Sequence, residues 1–228
     1  MWRKEMAQQK GGDKITRNIV IGMVLLVVLA GVGASLFSSH STSSAAKPVA
    51  ASKADGYGIA LNPTAKVRVD FWEDFQCPNC RNFEAVNNAY IDSLVKAGKI
   101  KAVYHPMSFI GPESIMAANA AACASDAGKF AEFHTALYAN QSKTENSGLW
   151  NAQVLTVLGI GVGIKDKNFA SCVKSSKYEG WVSTIETDAT KQGVNSTPTV
   201  FVNGTLMPTE NYLDLKKFTA YLAAAGVK

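Results

Sequence analysis

The chain reads KVRVDFWEDFQCPNC from Lys66 to Cys80, a strand-like stretch that ends in a pair of cysteines. β-Branched and aromatic residues alternate over residues 66 to 72, which predicts a strand. Apolar residues then recur at helical spacing over residues 83 to 94, and Gly98 supplies a helix stop. Residues 100 to 109 form a second strand-like run. This order places both cysteines at the N-terminus of a crossover helix.

That position favours an ionised thiol. Cys77 occupies the N-cap of the predicted helix, and Pro78 occupies the first helical position, where its missing N–H costs no hydrogen bond. The unpaired N–H groups and the dipole at the helix N-terminus favour the thiolate of Cys77. In such C-x-x-C sites the pKa can fall several units below the ordinary value of about 8.5. Because the thiolate is the nucleophile in disulfide exchange, the pattern indicates a redox pair.

Zinc binding and an inert cysteine pair are the alternatives. A zinc site needs two more ligands, but the sequence has no second C-x-x-C, and His105 and His134 lack the pairing of a zinc finger or ribbon. We therefore expect no metal and no cofactor. If the two cysteines were an inert pair, the preceding strand and Pro78, which are typical of redox sites, would be there by coincidence.

Three stretches of the chain resemble a known family. They are Val69–Cys80, then GKFAEFHTALY from Gly128 to Tyr138, and GVNSTPTVFVNG from Gly193 to Gly204. Together they resemble the DsbA-like thiol:disulfide oxidoreductases of the thioredoxin superfamily over about residues 60 to 228. The resemblance implies an α/β thioredoxin fold. A membrane-anchored form with an additional cysteine pair is similar to the versions found in Gram-positive actinobacteria.

The resemblance also implies the residues of the active site. It implies an active disulfide between Cys77, the exposed attacking cysteine, and Cys80, the buried one. Thr197 and Pro198 match the cis-proline loop of the family, which lies against the active disulfide and hydrogen-bonds the bound partner chain. Asn203-Gly204 is a strong hairpin signal, so Pro198 is expected at the entrance of a strand.

An acidic residue near the cysteines is a candidate for proton transfer. Thioredoxin-type proteins often carry a buried acid on the strand beneath the disulfide, where it can relay a proton to or from the inner cysteine. Asp70 is the nearest match and is predicted as this relay. The alternative for Asp70 is a salt-bridged or loop carboxylate. Glu73 and Asp74 are expected to cap or solvate the loop.

A helical subdomain is predicted between the second strand and Pro198. Almost 90 residues separate them, far more than a βαβ unit requires. We predict the insertion at about residues 112 to 192. Its expected helices follow Pro112 and cover residues 129 to 140, 166 to 175 and 178 to 191. His134 is expected to be a packed or half-exposed helix residue rather than a catalytic one.

The N-terminal 58 residues differ from the rest. Residues 1 to 18 carry five Lys and Arg against two acids, which predicts a cytoplasmic basic tail. Residues 19 to 37 are uncharged and would form about 28 Å of helix, enough for a transmembrane anchor. Residues 38 to 58 are small and polar and predict a flexible linker before a domain over 59 to 228. A cleaved secretory signal and a buried core helix are the alternatives to the anchor.

Charge and cysteine content indicate which partners and which compartment the domain can have. Residues 55 to 228 hold 16 basic and 16 acidic residues, so no nucleic-acid partner is expected. The anchor would leave this domain in an oxidising extracytoplasmic compartment, where an even number of cysteines favours pairing. Cys123 and Cys172 are therefore predicted to form a structural disulfide. Two buried free thiols are the alternative.

These features predict an extracytoplasmic thiol:disulfide oxidoreductase at the cell membrane. Stabilisation of the Cys77 thiolate favours the reduced pair, so we predict an oxidase that introduces disulfides into reduced secreted or surface proteins and is regenerated by a membrane thiol oxidase. A reductase or isomerase is an alternative within the same class. A non-catalytic peptide-binding or chaperone module on the same fold is the alternative from another class.

Overall fold

The structure is a computed structural model that describes residues 45 to 228. The predicted transmembrane helix over residues 19 to 37 and the predicted basic tail over 1 to 18 lie outside the described residues. Within the described part of the chain, no helix is both long and apolar enough to cross a bilayer.

The centre of the fold is a five-stranded sheet. Its strands are β1 (Ile59–Leu61), β2 (Val67–Asp74), β3 (Ile100–Met107), β4 (Thr199–Val202) and β5 (Thr205–Leu206). They lie in the order β1-β3-β2-β4-β5, with β2 and β3 parallel and the other neighbours antiparallel. Parallel strands require a crossover connection, which α1 (Pro78–Lys96) supplies. The predicted order of strand, cysteines, helix and strand is confirmed.

Six further helices follow β3 in the chain. They are α2 (Pro112–Asp126), α3 (Phe130–Ala139), α4 (Ala152–Gly161), α5 (Phe169–Lys174), α6 (Glu179–Lys191) and α7 (Leu215–Ala224). Helices α2 to α6 lie between β3 and β4 in sequence. The helical insertion predicted at about residues 112 to 192 is therefore confirmed.

Helix α4 is not among the predicted elements. Its N-cap is Asn151, whose side chain accepts hydrogen bonds from two backbone N–H groups. Gly159 and Gly161 lower its helix propensity, so the sequence pattern is weak. A Cβ atom at Gly159 would come within 2.1 Å of the Phe169 ring. The glycine thus permits close packing of α4 against α5.

The folded domain begins earlier than predicted. Ala51 is buried and forms a bridge with Ile59, and the indole N–H of Trp181 donates to the carbonyl of Tyr57 at 2.9 Å. The prediction of a flexible linker is therefore wrong for residues 51 to 58, while residues 38 to 44 of that predicted linker lie outside the described residues. The sequence does not predict this ordered segment, because its residues are small and polar. Its order comes from tertiary contacts with β1 and α6.

The hairpin between β4 and β5 is confirmed. Asn203 and Gly204 connect the strands with φ angles of 49° and 79°. Two positive φ angles are what a tight hairpin turn requires, and asparagine and glycine adopt them at little cost. The turn fixes β4 beside β2, so the residues before β4 meet the end of β2.

The two faces of β2 contact different parts of the fold. Phe71 packs against Phe83 of α1 and Tyr104, with ring centroids 6.1 and 5.1 Å away. The next residue, Trp72, stacks on His105 at 3.8 Å. Because side chains alternate along a strand, odd-numbered residues of β2 face α1 and even-numbered residues face away from it.

Candidate active site

Cys77 and Cys80 lie at the N-terminus of α1, as predicted. Cys77 is the N-cap residue, and Pro78 is the first residue of the helix. Both thiols are free in the structure. Cys77 keeps 7% of its surface exposed and Cys80 keeps none. Cys77 is therefore the accessible member of the pair, although it is less open than the resemblance implies.

The loop before β4 covers Cys77. The peptide bond between Thr197 and Pro198 is cis, as the resemblance implies. The carbonyl oxygen of Thr197 lies 3.4 Å from Cys77 Sγ. Antiparallel pairing of β4 with β2 holds this loop against the start of α1.

The two thiols titrate in opposite directions. A hydrogen bond from the Cys80 thiol, followed by bonds from the Thr197 side chain and the backbone N–H groups of Cys80 and Asn79, lowers the pKa of Cys77 to about 6 against the effect of burial. Burial raises the pKa of the Cys80 thiol well above its usual range. At neutral pH, Cys77 is mainly a thiolate and Cys80 a thiol.

Asp70 does not lie beside the cysteines. It accepts hydrogen bonds of 2.6 and 2.7 Å from Arg68 and lies 2.9 Å from His105 Nε2. These bonds, that of His105 first, hold the pKa of the Asp70 carboxyl below its usual range although burial opposes them. Asp70 shares the face of Trp72, away from α1. The prediction of Asp70 as relay acid is therefore wrong, and the alternative of a salt-bridged carboxylate is correct.

Glu73 is the acid on the α1 face of β2. Its side chain is buried, and burial raises its pKa to about 8; a hydrogen bond from Glu84 opposes this rise, and the nearby charge of Cys77 adds to it. The charge of Glu73 also raises the pKa of Cys80. The expectation that Glu73 caps or solvates the loop is wrong, because the alternation that turns Asp70 outward turns Glu73 toward the cysteines.

Asp74 caps the loop, as predicted. Its carboxylate accepts hydrogen bonds from the backbone N–H groups of Gln76 at 2.8 Å and Ile110 at 3.1 Å, and from the Ser114 hydroxyl at 2.7 Å. It is completely buried rather than solvated, and burial raises its pKa to about 6 despite these bonds. Asp74 thereby fixes the loop that leads into Cys77.

His134 lies buried in α3 between two acids and is packed, as expected. Its Nε2 atom is 3.0 Å from Glu73 Oε2, and its Nδ1 atom is 3.7 Å from Glu84 Oε2. These three residues are of types that can bind a metal ion, with one ligand atom each within 4.8 Å of the others. The His134 ring, however, directs Nε2 at Glu73 and Nδ1 at Glu84, so neither nitrogen is close to both carboxyl groups. We assign no metal to this cluster.

Comparison with known proteins identifies the family. The family model for thioredoxin matches residues 58–223. The chain belongs to the thioredoxin family. The predicted thioredoxin fold with an inserted helical subdomain is thereby confirmed.

Three proteins show what the chain is similar to. The Na(+)/H(+) antiporter NhaA 1 of Mycobacterium sp. (strain KMS) is 29% identical over 150 residues, which are 64% of this chain but 23% of the antiporter, so the chain spans about a quarter of that relative. Probable disulfide bond formation protein D of Bacillus cereus is 29% identical over 62% of this chain and 68% of its own length. The reduced disulfide bond oxidoreductase DsbG of Mycobacterium tuberculosis has a TM-score of 0.62 at 26% identity, covering 75% of this chain and 86% of its own. The predicted resemblance to DsbA-like proteins, including actinobacterial forms, is confirmed.

Two residues around this thioredoxin-family site were not predicted. The Gln141 side chain, just after α3, donates to the carbonyls of Phe75 at 2.9 Å and Cys77 at 3.0 Å, and so ties the insert to the active loop. No pattern marks a polar residue of this kind in the sequence. Glu84 does carry a signal: it follows Cys80 by four residues, on the buried stripe of α1. A carboxyl group on the otherwise apolar, buried stripe of a helix indicates a functional role.

The second cysteine pair supports the insert of this thioredoxin-family member. Cys123 of α2 and Cys172 of α5 form a disulfide with an S–S distance of 2.02 Å and a Cα–Cα distance of 6.0 Å. Both residues are buried. The pairing is the one that the cysteine count predicted.

Proposed function

We propose that this chain is a thiol:disulfide oxidoreductase that works through Cys77 and Cys80. The observation that carries the proposal is the contrast between the two thiols at one helix N-terminus: the pKa of Cys77 is about 6, whereas that of Cys80 is raised. The first thiol is both a nucleophile and a good leaving group at neutral pH, and the second is shielded from external thiols. An inert structural pair would not need this asymmetry.

The oxidised enzyme passes its disulfide to a substrate in two exchanges. A substrate thiolate attacks Cys77 Sγ, the bond between Cys77 and Cys80 breaks, and Cys80 leaves as a thiolate. A second substrate thiolate attacks the substrate sulfur of the mixed disulfide and expels the Cys77 thiolate. The substrate is oxidised to a disulfide by two electrons, and the enzyme is reduced to the dithiol. The loop at Thr197 and Pro198 lies where the bound substrate chain would run.

Glu73 supplies the proton that Cys80 needs in the first exchange. With its pKa raised to about 8 by burial, the Glu73 carboxyl is mainly protonated at neutral pH. The Cys80 thiolate is the stronger base, because burial raises the pKa of that thiol well above its usual range. Transfer from the carboxyl to the thiolate is therefore downhill, and it moves the negative charge from the Cys80 sulfur to the Glu73 carboxylate.

We propose the oxidase direction for the net reaction. The contacts that stabilise the Cys77 thiolate exist only in the reduced enzyme, so they favour reduction of the active disulfide and make it a stronger oxidant. Asn79 is neutral and adds no cationic stabilisation, which limits this effect.

The reduction potential of the Cys77–Cys80 couple tests this function. We expect a value above that of thioredoxin, about −270 mV, measured by equilibration with glutathione and thiol counting by mass spectrometry. A potential below that value would favour a reductase. If the pair does not exchange with glutathione at all, the peptide-binding or chaperone module becomes the better interpretation.

We also propose an extracytoplasmic position at the cell membrane. The uncharged run over residues 19 to 37 behind a basic segment supports it, as does the Cys123–Cys172 disulfide, since such bonds persist in oxidising compartments. The partners would be reduced secreted or surface proteins, and a membrane thiol oxidase would regenerate the disulfide.

N-terminal sequencing of membrane-extracted protein tests the proposed anchor. We expect the mature chain to retain Trp2, because an uncleaved anchor keeps its cytoplasmic tail. A mature start between Ala34 and Ala54 would contradict the anchor and indicate a cleaved secretory signal.

A further inference from the structure

Three buried side chains from three elements form a connected row on the α1 face of β2. They are Glu73 of β2, His134 of α3 and Glu84 of α1, each at most 4% exposed. His134 stands in the middle, with Nε2 3.0 Å from Glu73 Oε2 and Nδ1 3.7 Å from Glu84 Oε2. The insert thus contributes a polar residue to the surroundings of the cysteines.

We propose that His134 is a positioning residue for proton transfer at Cys80, acting through Glu73. It donates its Nε2–H to one carboxyl oxygen of Glu73 and so leaves the other oxygen to carry the proton that Cys80 receives. This inference rests on the proposed function and adds to it a residue from the helical insert.

The hydrogen-bond pattern of Glu73 supports this division of its two oxygens. Oε2 is bonded to the His134 ring, and Oε1 is buried and bonded to no N–H or hydroxyl group among the described residues. The neighbouring Glu84 carboxyl also hydrogen-bonds Glu73 and lowers its pKa. When the Oε1 proton passes to the Cys80 thiolate, a Cys80 S–H bond forms and Glu73 becomes a carboxylate. That carboxylate retains one N–H donor, from His134. A buried carboxylate without any donor would be far costlier.

The surroundings of His134 fix which ring nitrogen carries the hydrogen. The titratable groups that face it are Glu73, Glu84 and Asp92, with the phenols of Tyr104 and Tyr138 beside the ring. Burial lowers the pKa of His134, and the two Glu carboxyls have raised pKa values, so the ring is neutral with one N–H.

The shorter contact assigns that hydrogen to Nε2. At 3.0 Å the Glu73 contact is a hydrogen bond, while the 3.7 Å contact to Glu84 is longer than one. Nδ1 is therefore the bare nitrogen, and the protonated Glu84 carboxyl hydrogen-bonds Glu73 instead. His134 and Glu84 thus both donate toward Glu73.

Replacement of His134 tests the proposal through a pH profile. The rate at which the oxidised enzyme forms a mixed disulfide with a reduced model protein is normalised to the substrate thiolate concentration. In the wild-type protein this rate should fall as the pH rises through the pKa of Glu73, which burial raises well above its usual range and which no Cys77 charge raises further in the oxidised enzyme. In His134→Leu the Glu73 carboxylate loses its N–H donor and keeps only the bond from Glu84, so the midpoint should move up by about one pH unit.

Matched variants separate positioning from packing. His134→Gln places an amide N–H near the position of Nε2 and should restore the wild-type midpoint. His134→Asn reaches only the position of Nδ1 and should resemble His134→Leu. Equal midpoints in all four proteins would overturn the proposal while leaving the exchange activity, and with it the proposed function, intact. A wild-type protein without exchange would instead refute the proposed function.

A measurement on the unmodified protein keeps the proposal testable if the variants do not fold. Nitrogen NMR of the His134 ring should show the neutral tautomer with hydrogen on Nε2 between pH 6 and pH 8. A ring protonated on Nδ1, or a charged ring in this range, would contradict the proposed role.

Discussion

Replacing Cys80 with serine should convert the protein into a trap for mixed disulfides at Cys77. The variant keeps the Cys77 thiolate, but no second thiol remains to resolve the intermediate. Resolution by a neighbouring thiol has an effective concentration far above that of external thiols. We therefore expect the mixed disulfide with a substrate, or with glutathione as a probe, to live at least about 100-fold longer than in the wild-type protein. Mass spectrometry of the quenched reaction would locate the adduct.

Cys77→Ser is the matched control for this trap. It removes the accessible nucleophile, so neither an adduct nor oxidation of a reduced model protein should be detectable. Cys80 cannot substitute for it, because Cys80 is completely buried and burial raises the pKa of its thiol. Adducts on Cys80 in this variant, or turnover that persists in it, would contradict the assignment of roles.

Cys80→Ala separates the two contributions of Cys80. The hydrogen bond from the Cys80 thiol is the foremost cause of the lowered pKa of Cys77. A serine hydroxyl at this position can donate in the same way, whereas alanine cannot. The alkylation midpoint of Cys77 should therefore remain near 6 in Cys80→Ser and rise by about one unit or more in Cys80→Ala.

The sequence was sufficient to predict the parts of the site that depend on local rules. The Cys77 N-cap and the Asn203-Gly204 turn follow from capping and turn preferences that act over a few residues. The cis bond before Pro198 needed the resemblance in addition, since few X-Pro bonds are cis. The pairing of Cys123 with Cys172 followed from the even number of cysteines and the expected oxidising compartment.

The sequence alone does not determine which face of β2 each residue occupies, and this is why it predicts Asp70 rather than Glu73 as the relay acid. A shift of one residue moves a side chain to the other face of a strand, and that shift separates Asp70 from Glu73. Phe71 would have supplied the anchor, because an aromatic residue that packs on α1 must share its face with Glu73. The sequence therefore predicts that β2 carries a buried acid, but it does not determine which residue of the strand this acid is.

Several elements escaped prediction because tertiary contacts stabilise them. Strand β1 has three residues and is ordered by pairing with β3. Helix α4 contains two glycines, one of which is required by the Phe169 ring. Helix α7 begins at the Asp214 cap and buries Phe218 and Leu222. Propensity alone is a weak guide where burial decides the structure.

Removing the Cys123–Cys172 disulfide should cause a large loss of stability without a change at the redox site. The two cysteines are 49 residues apart, and closing a loop of that length restricts the unfolded chain by about 4 kcal/mol on the chain-entropy estimate. We expect Cys123→Ala/Cys172→Ala to lower the free energy of unfolding by about 2 to 4 kcal/mol, and the melting temperature by roughly 5 to 15 °C. The double variant avoids a free thiol that could exchange with Cys77.

Two controls show whether the loss of stability in the double variant is caused by the missing disulfide. Lys174→Ala changes an exposed residue on the same short helix and should alter the free energy of unfolding by less than about 0.5 kcal/mol. Wild-type protein reduced only at Cys77 and Cys80 should keep the cross-link, because both of its cysteines are buried in a packed insert. The double variant should still exchange disulfides, since the hydrogen bonds that lower the pKa of Cys77 come from Cys80, Thr197 and Asn79 and not from α2 or α5. Alkylation of Cys123 and Cys172 in the native wild-type protein, or an unchanged melting temperature in the double variant, would show that this bond does not support the fold.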